Sequence, residues 1–329
     1  MIEQTTDTLA AVALAERGAL IERGRDRAEH DRILTTLAAF NAIETGGAAD
    51  RTGPLAFPLK VAAWNLERCL FVEASARHLK TLDPALILLS EMDDGMARTG
   101  QRHTTRDIAG ELGMAYAYGL EFLELGLGSD TERDFCTDGE NRKGFHGNAL
   151  LSRHPLSRPF LVRLEGERIW RNDPDQPRIG ERVAVGAVIE TTSGPLVAVS
   201  THLESATAAA YRERQTVDLI DQLDAAFPGL PILIGGDLNT GNHAGGDFEA
   251  EGLFARARER GFERHGGPLE AMTTRPSLIT RWPERAMKLD WFLSRGLRMV
   301  DCAILPSVDA EGRTLSDHDV IHARIEGFI

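Results

Sequence analysis

The sequence predicts a sheet-rich α/β body with its helices on the outside, preceded by a helical extension. Three observations predict it. After Pro58 the chain breaks into short apolar runs, several of them β-branched, that end abruptly in polar residues. Helix-periodic stretches separate only some of these runs, so strands outnumber helices. The opening residues are different in texture, rich in Ala, Leu and Arg with few breakers.

Along the chain, Ile33, Leu34, Leu37 and Phe40 recur at helical spacing, which predicts one or two amphipathic helices between about Thr8 and Glu44. "TGGAADRTGP", Thr45 to Pro54, has the composition of a linker. Residues 1–54 are therefore expected to form an N-terminal helical extension packed on the main body, with a dimerisation arm as the alternative. Residues 55–329 are expected to form the main domain. Strands are expected at "LKVAAWNLE", "ALILLSEMD", "GNALLSR", "RVAVGAVIET", "LVAVSTHLES", "PILIGGDLN", "MKLDWFLS" and "VIHARI", buried on one or both faces. "ASARHLKTL" and "AAAYRERQTVDLIDQLDAAF" read as helices. Gly126 to Phe145, charged and Gly-containing, reads as an insertion loop.

The 329 residues carry a formal net charge of -13. That argues against a broad basic face gripping long nucleic acid, because such binding neutralises many phosphates. A phosphate-bearing substrate held locally by a metal ion and a few arginines remains open. No apolar run approaches the ~20 residues of a membrane span, so no integral membrane association is expected. "MIEQTTDTLA" lacks the basic start and apolar core of a secretory signal. Cys69, Cys136 and Cys302 are scattered and odd in number. They speak against a disulfide framework or a thiolate zinc site, and for a reducing, cytoplasmic location.

A strand shows the same face every second residue. Asn65 and Glu67 in "WNLE", His202 and Glu204 in "THLE", and Asp237 and Asn239 in "GDLN" each follow an apolar run and share a face. Three such pairs just past hydrophobic segments are the layout of an active site on the rim of a sheet. Each piece alone has a plainer reading. Asp and Asn after a strand form turns by bonding their own backbone, a lone His202 is a satisfied or solvated imidazole, Glu91 marks a helix start, and "SDHD" is a cap. Together the set is dominated by oxygen donors: Glu91, Glu67, Asp237, Asp290, Asp317, Asn65 and Asn239. Hard oxygen ligands suit Mg²⁺ or Mn²⁺ rather than zinc. No H-E-x-x-H helix, G-x-x-x-x-G-K-[ST] loop, G-x-S-x-G elbow or G-x-G-x-x-G turn is present.

In their order, "WNLE", "LLSEMD", "GNALLSR", "STHLES", "GGDLNTG", "KLDWFL" and "LSDHDVI" resemble the motif series of the endonuclease/exonuclease/phosphatase (deoxyribonuclease I-like) superfamily, over roughly Leu59 to Ile325. The resemblance implies a four-layer α/β/β/α sandwich of two mainly antiparallel sheets with outer helices. It implies Glu91 as principal metal ligand, with Asn65, Glu67 and Asp317 beside the metal. It implies Asp237 as the group that orients or deprotonates water, Asn239 as its companion on the phosphate, and His202 as a second histidine near the phosphate. Asp290 and His318 match a carboxylate–histidine pair. Adjacent Asp317 and His318 face opposite ways in a straight strand, so the segment should bend there.

The expected function is a Mg²⁺- or Mn²⁺-dependent phosphoric ester hydrolase that cleaves a phosphodiester by in-line attack of an activated water, with nuclease activity the first substrate class. A small organic phosphate or lipid headgroup is the alternative, favoured by the acidic balance and sparse aromatics. A family member without catalysis, serving as a binding scaffold, is the third reading. Asn148 and Arg182 are the expected substrate contacts, with His146, Arg275 and Arg281 behind them; an arginine taken singly is more often a solvated surface charge.

Overall fold

A strand that is apolar at every position needs cover on both faces, and the computed structural model of this chain supplies it. The structure describes residues 1–166, 168–173, 176–242, 245–279 and 286–329; Arg281 lies outside them. The first sheet has nine strands among these residues. Its spatial order is β1 (Thr5–Thr6), β2 (Ile43–Gly47), β5 (Ala115–Glu124), β6 (Phe145–Ser152), β4 (Leu86–Asp94), β3 (Leu59–Arg68), β15 (Val320–Phe328) and β14 (Leu297–Leu305), with β8 (Arg178–Gly180) added to β5. The second, of six strands, runs β12 (Glu263–His265), β13 (Asp290–Arg295), β11 (Ile232–Asp237), β10 (Gly194–His202), β9 (Val183–Thr191) and β7 (Ser157–Arg163). Pairing is antiparallel apart from β1–β2, β3–β4 and β10–β11, so both sheets are mixed.

Alternation along the strands builds the layers. Leu59, Val61 and Ala63 of β3 and Leu86 and Leu88 of β4 face inward, against Leu196, Ala198, Leu233 and Phe292 of the other sheet. Their neighbours Ala62, Trp64, Ile87 and Leu89 face outward. There they pack against α1 (Leu14–Glu22), α2 (Arg27–Thr36), α3 (Val72–Leu82) and α4 (Thr104–Leu112) through residues such as Leu20, Ile33, Leu79 and Ile108. On the far side, Val197, Val199, Ile232 and Ile234 meet Leu219, Leu223 and Leu253 of α6 (Ala209–Ala226) and α7 (Gly252–Glu259). The result is the helix–sheet–sheet–helix sandwich that the sequence led us to expect.

The expected strands and both expected central helices form, within a few residues of their expected bounds. Three local expectations need correction. The segment Thr45–Pro54 is not simply a linker: Thr45, Gly46 and Gly47 pair with β5, so the opening residues contribute strands to the first sheet as well as the helices α1 and α2. The insertion loop ends before Phe145, which opens β6, and it contains the short helix α5 (Asp130–Arg133) with a capping box on Ser129. Strands β5, β7 and β14 also lie outside the expected set.

Candidate active site

The C-terminal ends of the two parallel pairs, β3–β4 and β10–β11, come to the same end of the sandwich. In the second sheet His202 stands opposite Asp237, and Asp237 stands opposite Asp290. The "GGD" sequence makes this close approach. Gly236 has φ +142, and a Cβ on it would sit 2.0 Å from the Thr201 carbonyl oxygen; a glycine is needed there. In the first sheet the β3–β4 register slips between Asn65 and Arg68, with Glu67 at φ +43 and Glu91 at φ +59. Bulges of this kind re-aim side chains. The amide of Asn65 then bridges the sheets, its Nδ2 donating to Glu91 Oε1 and to Asp237 Oδ2, both at 3.1 Å.

Asp237, Asp290 and His318 form the second half of the constellation. His318 Nδ1 lies 2.8 Å from Asp290 Oδ2, and its Nε2 lies 3.6 Å from Asp237 Oδ2 and 4.0 Å from Asp317 Oδ1. Burial alone would strip the proton from His318, but Asp290, Asp237 and Asp317 outweigh it and raise the imidazole well above its ordinary value. With His318 protonated the trio, whose ligand atoms lie within 4.8 Å of one another, has the make-up of an acid–base arrangement. Burial, with Asp290, pushes Asp237 up to about 6 against the pull of His318. The expected bend is present. Residue 317 is a bend ahead of β15, and Ser316 Oγ accepts from His318 N–H while donating to the Asn65 carbonyl.

Glu91 stands on the other side of Asn65. Burial opposes its ionisation, yet the Arg68 guanidinium holds its carboxyl well below the usual range. Its Oε2 pairs with Arg68, which also donates to Glu132 at 3.0 Å. Glu132 in turn meets Arg98, a fully buried guanidinium shared with Asp93 and Glu124. Asn65 Oδ1 accepts one hydrogen bond, from Glu67 N–H, and keeps a second lone pair. Burial, with Glu91, pushes Asp317 up to about 6, and its side chain is part-exposed. Glu91, Asn65 and Asp317 are hard oxygen donors, with Glu91 ionised, and that donor chemistry fits a hard divalent cation. The Glu67 carboxylate is engaged by protein donors. Its Oε1 accepts from Ser277 and from the backbone of Leu278 and Ile279, and its Oε2 from Asp317 N–H. Burial, with Asp317, pushes it up to about 8. It ties two loops to the site.

The remaining expected residues divide. His202 is buried beside Arg182, 3.5 Å from Asp237 Oδ2. Burial, then Arg182, drive its imidazole well below the ordinary value, so it stays neutral. Arg182 is held by Glu121 at 2.6 Å and by Glu204 at 3.5 Å. Asn148 donates to the Val183 carbonyl and leaves its Oδ1 buried without a partner. Asn239 does not project alongside Asp237: at φ +52, beyond the end of β11, it donates to the Leu203 carbonyl and accepts from Asn242. Its own N–H bonds Asp237 Oδ1, the turn that the plainer reading of "GDLN" described. His146 bonds Asp93 through Nδ1, and Arg275 pairs with Asp319 at 2.7 Å. Sequence reasoning missed Arg68, Glu121 and Glu132. Arg68 directly follows "WNLE", and that adjacency was the available signal.

Comparisons bear on this geometry. Among solved structures, the chain is similar to an endonuclease/exonuclease/phosphatase from Beutenbergia cavernae at 18% identity and a TM-score of 0.60, covering 82% of this chain and 72% of that one. The human Nocturnin catalytic domain with bound sulfate anion gives 19% identity and a TM-score of 0.57, with 87% and 98% covered. Truncated Caenorhabditis elegans TDP2 gives 16% and 0.53, with 82% and 98% covered. At these identities the likeness is one of fold. No curated protein matches. The profile of the Endonuclease/Exonuclease/phosphatase family, whose members are usually divalent-metal-dependent phosphoester hydrolases, matches residues 62–318. That span runs from β3 to His318 and takes in every strand end described above. The chain belongs to the endonuclease/exonuclease/phosphatase family.

Proposed function

We propose that this chain hydrolyses a phosphodiester by in-line attack of water, with Asp237 as the base and His318 as the cationic partner of the phosphoryl group. One observation carries the reading: Asp237 Oδ2 is held by Asn65 and stands 3.6 Å from the Nε2 of an imidazolium fixed by Asp290. Asp237 takes the proton of the attacking water. His318 directs Nε2–H at the phosphoryl oxygen on which charge develops, and the Asp290 carboxylate keeps the ring oriented and charged. Neutral His202 and the Arg182 guanidinium line the opposite side, one to accept a hydrogen bond and the other to add positive charge. Asn65 sets the spacing between Glu91 and Asp237. A Mg²⁺ or Mn²⁺ ion held by Glu91, Asn65 and Asp317 supplies Lewis-acid charge to the phosphoryl oxygen when bound. Asn239, committed to Leu203 and Asn242, holds the turn under Asp237 and is assigned no phosphate contact.

Nucleic acid is the first substrate class to test. A small organic phosphate is the second, because Trp170 near the site has guanidiniums of Arg168 and Arg178 stacked at 3.8 and 4.1 Å from its ring centre. A ring so covered offers no open platform for a base. Hydrolysis of bis(4-nitrophenyl) phosphate should stop in EDTA and return with Mn²⁺ or Mg²⁺. Absence of turnover with either metal, on this substrate and on a panel of DNA, RNA and small phosphate esters, would overturn the assignment.

A further inference from the structure

One short stretch, residues 176–182, runs along the flank of the site. At its start Gln176 donates to Glu132, the carboxylate that also receives Arg68 and Arg98. At its end Arg182 reaches Glu121, His202 and Ser205. Between them stands Arg178, in register with Glu124 of β5. Its guanidinium carbon lies 4.3 Å from the centre of the Phe122 ring and 4.1 Å from that of Trp170. Arg182 approaches the same two rings, at 5.5 and 5.8 Å.

Arg178 differs from the three buried arginines that surround it at the site, Arg68, Arg98 and Arg182. Arg68 has Glu91 and Glu132, Arg98 has Asp93, Glu124 and Glu132, and Arg182 has Glu121 and Glu204. Arg178 is 7% exposed, makes no ion pair among the described residues, and buries its Nε without a hydrogen-bond partner. Burial, then the neighbouring Arg182, lower it to about 10. A buried cation that lacks an anion is costly to keep. The aromatic pair holds the guanidinium plane in place, and a fixed guanidinium fork matches the two oxygens of a phosphate. Chemistry, position and missing partner are those of a receptor for an anion that the protein itself does not supply.

We propose that Arg178 binds a second anionic group of the substrate, a non-scissile phosphate adjacent to the one being hydrolysed. The assignment rests on the phosphoesterase reading above and narrows it to substrates carrying two phosphates close together. A neighbouring nucleotide in a polynucleotide offers that chemistry, and so does a small bisphosphate. Trp170 and Phe122 act here as mounts for the guanidinium.

Two ligand pairs test this by titration calorimetry with Mg²⁺ present, in the full-length chain carrying D237N to suppress turnover. One pair is dithymidylate with and without a 5′-phosphate; the other is propane-1,3-diol bisphosphate and propyl phosphate. In one pair at least, the member with the additional phosphate should bind about tenfold more tightly, and adding R178M should erase that preference. The pair that shows it identifies the source of the second phosphate. Lack of preference in both pairs, or a preference unaltered by R178M, overturns the proposal. Should R178M fail to fold, R178K keeps the charge and loses the fork, so the preference should fall several-fold; an unchanged value again overturns it. Absence of phosphodiester turnover in the wild-type chain would remove the catalytic assignment and leave this binding result readable by itself.

Discussion

Asp237 is the residue on which the two sheets converge. It closes β11 behind a glycine that nothing larger can replace, it receives Asn65 from the other sheet, and the imidazoles of His202 and His318 face it. Removing the carboxylate removes the base; removing His318 removes the cation opposite it. A single acid or base contributes ~10²–10⁴-fold, so D237A and H318A should each lower kcat on bis(4-nitrophenyl) phosphate by that order. Steady-state kinetics check this alongside the melting temperature, and wild-type turnover in both folded variants would eliminate the acid–base assignment. Asp237, Asn65, Glu91 and His202 are legible in the sequence because each follows an apolar run, whereas Asp290 and His318 come only from the family resemblance. Asn239 is misread for a definite reason: the same-face argument holds only inside a strand, and β11 ends at Asp237. Arg68 and Arg178 are hidden differently. Nothing in one sequence separates a buried arginine from a solvated one, and the partners that do so come from distant segments, as Glu132 does for Arg68 across 64 residues.

Among elements, β5 and β2 are missed from the sequence because of their composition. β5 reads "AYAYGLEFLE", with no β-branched residue, and β2 reads "IETGG", whose glycines signal a turn. Tertiary contacts make them strands. For β2 much of that comes from Glu44, fully buried, whose carboxylate accepts from Leu9 N–H, Tyr116, Arg106 and the His103 ring. Burial would raise its pKa, but His103, the Leu9 amide and Tyr116 prevail and lower it to about 2 from an ordinary 4.5. The folded-state value is depressed, so the stabilisation is complete above pH 4.5 and disappears as pH falls from there towards 2. A shift of that size corresponds to roughly 3 kcal/mol at about 1.4 kcal/mol per unit. Denaturant unfolding should therefore find E44Q less stable than wild type by that order at pH 7, with the gap closing below pH 4.5. A gap that stays constant from pH 7 to pH 3 would mean that Glu44 acts through shape and not through charge.

On the scale of the whole molecule, the family profile begins at residue 62, and the sequence by itself sets the opening residues apart as an extension. Physical dependence runs across that boundary. β2 covers the edge of β5, and Leu9, Leu20, Ile33, Leu34 and Phe40 complete the outer core of the first sheet. Without them residues 115–118 of β5 would present an open edge, which invites pairing with other chains. The helices also brace the flank that carries Arg178 and Arg182: His30 of α2 meets the Gly180 carbonyl at 3.2 Å, Arg27 pairs with Glu181 at 2.6 Å, and Arg171 donates to the Leu20 carbonyl at 3.2 Å. Burying each large apolar side chain is worth about 1.5–3 kcal/mol, so losing five exceeds the whole margin of a marginal domain. A chain starting at Leu55 should thus aggregate, or melt more than about 10 °C below the intact protein. If enough of it stays folded to assay, phosphodiester turnover should fall too, because residues 176–182 lose their support. Size-exclusion chromatography and a thermal melt decide the matter: a monomeric truncated chain with an unshifted melting temperature would show that residues 1–54 are an appendage.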